Sequence, residues 1–146
     1  MRLSPLTLAA VVAAAPALAD EAWETNLGFV VWETTLGPDA VLRLFAGEGT
    51  SGPVIRMAVP GLGDDMLGGR GSYTGVWTAS EGDVPCVTEM IDSFGGKTRY
   101  WGSFTITFVS PDFPSDWAGQ YGDCLETPDT TIQARALVGE DRGRAP

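Results

Sequence analysis

Hydrophobic and polar residues alternate over short stretches of this chain, most clearly across residues 100–109. There Phe104, Ile106 and Phe108 take turns with Ser103, Thr105 and Thr107, which is the period of a strand with one buried face. Shorter β-branched or aromatic runs predict further strands within 23–33, 41–45, 54–59, 73–78, 117–121 and 130–137. Tyr73, Gly75 and Trp77 share one face of theirs, and Ile132, Ala134 and Ala136 one face of the last. Turn residues separate the runs, at Leu36-Gly37-Pro38-Asp39, 47–53, Pro60-Gly61, Gly95-Gly96 and 111–116.

Residues 84–94 fit two patterns. Val87, Met90, Ile91 and Phe94 fall at helical spacing, with Asp83 to cap, Pro85 in the first turn and Gly95 to stop it. Read as a strand, Val87, Glu89 and Ile91 alternate with their neighbours. The whole predicts an all-β chain of seven to eight short strands, with one short helix near 84–94 as an open option. A small antiparallel barrel is favoured over a β-sandwich because closure removes exposed strand edges. The glycines inside strands, Gly28, Gly75, Gly102 and Gly119, mark places where a sheet coils or packs closely. Residues 71–77, Gly-Ser-Tyr-Thr-Gly-Val-Trp, together with the aromatic strands, loosely resemble up-and-down ligand-binding barrels of the avidin and lipocalin kind. That resemblance implies architecture and transfers no function.

The first nineteen residues read as a secretory signal. Arg2 precedes a short apolar stretch, which ends in Ala17-Leu18-Ala19. That stretch is shorter than the ~20 residues that span a bilayer. Cleavage before Asp20 leaves a single domain over 20–138 and a polar tail over 139–146, in the periplasm or outside the cell. Losing Arg2 from nine basic residues leaves eight against nineteen acidic ones, a net charge of −11. Such a surface disfavours nucleic acid and anionic membranes and suits a basic partner. Strands shorter than the ~9–11 residues of a membrane barrel argue against membrane insertion. Cys86 and Cys124 are the only cysteines. In an oxidising compartment they pair as a disulfide, whose long loop is worth roughly 4 kcal/mol.

The chain has no histidine, which removes Ser-His-Asp and Cys-His nucleophiles and histidine-ligated metals. It also lacks a nucleophile elbow, a phosphate loop and a dinucleotide fingerprint, so no cofactor is expected. Asp64-Asp65, and Asp123, Glu126 and Asp129, offer oxygen ligands of the kind calcium takes, without an EF-hand pattern. No metal site is predicted. The aromatic set is more informative, since five tryptophans and three tyrosines occur in a small chain. Tyr73, Trp77, Trp101 and Trp117 are the predicted ligand-binding residues. The leading expectation is an exported, non-enzymatic protein that holds a small molecule or glycan against aromatic side chains. The alternatives are an acidic module for a basic protein, using loops 61–71 and 111–116, and a carboxylate-dependent hydrolase.

Overall fold

The computed structural model describes residues 21–47, 51–64, 71–110 and 115–137. Within them the chain forms β1 (Ala22–Thr25), β2 (Gly28–Leu36), β3 (Asp39–Ala46), β4 (Ile55–Val59), β5 (Ser72–Ala79), β6 (Met90–Ile91), β7 (Lys97–Thr98), β8 (Tyr100–Phe108), β9 (Trp117–Tyr121) and β10 (Thr130–Ala136). Eight strands close into an antiparallel barrel in the order β1-β10-β9-β8-β5-β4-β3-β2. They follow one another in chain order, except that the β6–β7 hairpin is inserted between β5 and β8. The barrel expected from the sequence is therefore the fold. The predicted cleavage site before Asp20 and the 139–146 tail lie outside the described residues.

Alternation sets the two faces. Phe104, Ile106 and Phe108 are buried in the barrel, whereas Thr105 and Thr107 between them are exposed. From the other strands Trp23, Val30, Leu42, Met57, Val59, Trp117 and Ile132 join the same core. The outer wall carries Glu24, Thr74, Gln120, Gln133 and Arg135, all exposed. The interior is apolar; the exterior carries these polar groups together with half-buried Phe29, Val31, Phe45 and Val76. The stretch 23–33, expected to hold one strand, holds the end of β1 and the start of β2. The break is a tight turn in which Thr25 Oγ1 accepts the Leu27 amide at 3.1 Å and donates to the Gly28 carbonyl at 2.7 Å.

The four in-strand glycines share one cause. A Cβ at Gly28, Gly75, Gly102 or Gly119 would run into the carbonyl oxygen of Phe45, Ala58, Gly122 or Thr105 respectively. Adjacent chain approaches these positions too closely for any side chain.

No helix forms at 84–94, and strand β6 covers only Met90–Ile91. The helical stripe is not used: Val87 is 91% exposed, Ile91 64% and Phe94 52%. These side chains are left in solvent rather than covered by the barrel, so a helix that carried them would lack tertiary support. The segment is instead pinned to the outer wall by polar contacts. Trp101 Nε1 donates to the Thr88 carbonyl at 2.9 Å, Thr98 Oγ1 to the Ala79 carbonyl at 2.6 Å, and Arg99 to the carbonyls of Cys86 and Val87. The Cys86–Cys124 disulfide forms, with Cα atoms 5.5 Å apart, and ties this insertion to the β9–β10 loop.

On the outer wall Arg43 and Arg56 lie directly opposite each other on β3 and β4. Glu33, at the bulge in β2, separates their charges. It accepts two hydrogen bonds from Arg56, at 2.7 and 3.1 Å, and its carboxylate is 4.0 Å from Arg43. The hydrogen bond to Glu33 is the main cause raising the Arg56 pKa above its ordinary value, partly offset by burial.

Candidate ligand site at the barrel mouth

The two ends of the barrel differ. At the end holding the β2–β3 turn and both chain termini of the barrel, aromatic rings close the interior. Trp23 meets Phe108 and Trp117 edge-on at centroid distances of 6.5 and 6.4 Å, and Tyr73 meets Phe108 at 6.0 Å and 84°. Leu62, just beyond β4, is buried with them. Trp23 Nε1 donates to the Ser115 carbonyl at 2.8 Å. Among the described residues, the Tyr73 hydroxyl and Trp117 Nε1 are buried without a hydrogen-bond partner. Burial, and then the negative charge of Asp64, raise the Tyr73 pKa above 10.0.

The opposite end is open. A cavity of about 260 Å³ enters there, walled by Leu44, Ile55, Met57, Phe104 and Ile132. Its rim is formed by Leu27 of the β1–β2 turn, Trp77 near the end of β5, Tyr121 at the end of β9, and Asp123 in the β9–β10 loop. The cross-strand register brings these groups together: Met57 pairs with Trp77, Leu44 with Ile55, and Phe104 with Tyr121. Trp77 Nε1 is spent on the Gly122 carbonyl at 3.0 Å. That bond holds the indole in place and leaves its ring as the surface offered to the cavity.

Of the four aromatic residues expected to bind ligand, only Trp77 lines this cavity. Tyr73 lies on the same strand face four residues earlier, about 13 Å along the strand, within the closed end. Trp117 is in that same cluster and 1% exposed. Trp101 faces outward beneath the insertion, 6% exposed. The structure therefore places the four in three separate locations. Of the remaining lining residues, the sequence set apart Phe104 and Ile132 as inward strand positions and Asp123 as an oxygen ligand of the calcium kind, none of them as part of this site. Leu44 and Met57 carry the apolar alternation of inward strand positions. Leu27 and Asp123 sit in connections, where alternation has no meaning.

The loops expected to carry acidic contacts are only partly described. Asp65 and residues 111–114 lie outside the described residues. Among those that are described, no group of three acidic or cysteine side chains is placed to hold a metal ion, and no helix is long and apolar enough to cross a membrane. Comparison with protein-family models, with curated proteins and with solved structures returns no match. The geometry of the mouth carries the functional reading alone.

Proposed function

We propose that this is an exported, non-enzymatic binding protein whose barrel mouth holds a small, mainly apolar molecule. The observation that carries this is the cavity itself, open at one end, closed by aromatic rings at the other, and walled by aliphatic and aromatic side chains. An apolar cavity of about 150 Å³ admits a benzene ring, so about 260 Å³ suits one ring with a short substituent. A glycan fits less well, because buried sugar hydroxyls would find few partners and each would cost roughly 1–3 kcal/mol. Among the described residues the cavity is lined by one carboxylate, Asp123, whereas paired-carboxylate hydrolysis needs two. Export is supported by the signal-like first nineteen residues and by the disulfide, which persists in oxidising compartments. The exposed polar residues on the outer faces of β1, β5, β8, β9 and β10 support a barrel that stays in water, since a membrane barrel carries an outward apolar band.

Amide and indole NMR shifts of the isotope-labelled mature protein, titrated with 2-phenylethanol, test the proposal. Saturable shifts are expected at Leu44, Met57, Phe104, Ile132 and the Trp77 indole, and Met57→Trp, which fills the cavity, should abolish them. Saturable shifts confined to other surfaces, or none, would refute it.

A second reading, docking of a basic protein, draws on a different feature. Val84, Val87 and Leu125 are 78, 91 and 88% exposed on the two segments joined by the disulfide. Exposed Glu81, Asp83, Asp123 and Glu126 lie beside them in sequence. Such a mix of apolar and acidic groups suits a cationic surface with apolar side chains.

A further inference from the structure

We infer that the mouth selects amines: an apolar body fills the cavity and an ammonium group sits at the rim against Asp123. The inference rests on the reading of the mouth as a ligand site and names the chemistry that site prefers. Among the described residues Asp123 is the single charged one in the lining. Among the described residues its carboxylate makes no hydrogen bond or ion pair, unlike Glu33, Glu24 and Asp92, which are all engaged. Its backbone is held. The Asp123 carbonyl accepts the Glu126 amide at 2.9 Å, the next residue donates its amide to the Trp101 carbonyl at 2.7 Å, and the Cys124 sulfur is bonded to Cys86. The charge is therefore carried on a loop fixed at both the backbone and the disulfide.

The surroundings reinforce the preference. Trp77, Phe104 and Tyr121 line the same cavity, and aromatic faces attract ammonium groups. The remaining acids of the β9–β10 loop, Glu126 and Asp129, are exposed beside Asp123 in sequence. Among the described residues no cation belongs to the lining. Arg43 and Arg56 share Glu33 on the outer wall, Arg135 pairs with Glu24, and Arg99 is spent on carbonyl oxygens of the insertion. Lys97 lies on the β6–β7 hairpin, also outside the lining. An anionic ligand would meet uncompensated negative charge at this mouth, and a neutral one would forgo the attraction.

Three probes of matched shape separate the possibilities: 2-phenylethylamine, 2-phenylethanol and phenylacetate, titrated by NMR into the disulfide-bonded mature protein at low salt. The amine should bind about three- to tenfold more tightly than the alcohol, from one partly exposed ion pair plus cation–π contact, and phenylacetate more weakly than either. Asp123→Asn should bring amine and alcohol within about twofold, as should molar salt. Glu24→Gln, on the outer wall, should leave all three affinities unchanged. Equal affinities for the three probes at the cavity residues would overturn the amine preference while leaving the cavity as a binding site. Failure of every probe to shift those residues would overturn both.

Discussion

Replacing Tyr73 by phenylalanine should make the protein more stable. The Tyr73 ring belongs to the closed end of the barrel, 7% exposed and packed edge-on against Phe108. Its hydroxyl is buried with no partner among the described residues, so folding strips it of water and returns nothing. An unsatisfied buried hydroxyl costs on the order of 1–3 kcal/mol. Phenylalanine keeps the ring contacts and removes that cost, for an expected gain of about 1 kcal/mol, or about 4 °C in Tm for a domain of this size. Urea denaturation followed by tryptophan fluorescence reads the change, with an unchanged m-value showing that the folded and unfolded states are otherwise alike. A pH series adds an independent check. Because burial raises the folded pKa of Tyr73 above its unfolded value of 10.0, the fold favours the protonated phenol. Its contribution is complete below pH 10.0 and is lost as pH rises through the higher folded value. The wild type should therefore lose stability above pH 10.0 faster than Tyr73→Phe. If Tyr73→Phe instead destabilises by more than about 0.5 kcal/mol, the hydroxyl has a partner and the reasoning fails.

Other perturbations probe separate parts of the barrel. Serine at both Cys86 and Cys124 should cost about 4 kcal/mol by loop closure, and hydrogen exchange should rise first in the 86–98 insertion. Glu33→Gln leaves Arg43 and Arg56 facing each other across the sheet; chemical denaturation should show a loss of about 1 kcal/mol at low salt, shrinking at high salt. Gly102→Ala drives a methyl group at the Gly122 carbonyl and to 2.7 Å from Trp77 Nε1. Crowding plus the lost indole hydrogen bond should cost about 2–3 kcal/mol, and the same variant should weaken probe binding at the mouth.

Period-two alternation is readable without coordinates, and β8 shows how far that goes. Phe104, Ile106 and Phe108 point inward as their spacing implies, and Trp101, of opposite parity, points outward. The parity of Trp101 was thus available from the chain, and it separates this tryptophan from the interior. Height along the barrel was not available. Tyr73 and Trp77 have the same parity on one strand, yet one plugs an end and the other borders the cavity, because the stagger between strands decides which residues share a level. The 84–94 segment misleads for a different reason. Its apolar spacing is helical, but a spacing stabilises a helix only when something packs against the stripe, and here the side chains face solvent while hydrogen bonds hold the backbone to the wall. The disulfide was legible because a chain with two cysteines allows only one intramolecular pairing.

The β1–β10 seam orders events in time. Every other strand pairing of the barrel joins strands that are neighbours in the chain or are separated only by the short β6–β7 insertion, whereas the seam pairs Trp23 with Ala136 and Thr25 with Ala134. Such a pairing must wait for nearly the whole chain, and its loop-closure entropy is met only after the other strands have shortened the gap. The seam should therefore be the last part of the barrel to zip. Asn26, which grips β10 through the Thr131 carbonyl and the Gln133 amide, acts on that final step, so Asn26→Ala should speed unfolding and leave the refolding rate nearly unchanged. Until the seam closes, β1 and β10 are open edges able to pair with another chain, and the interval before closure is when this protein is most exposed to aggregation.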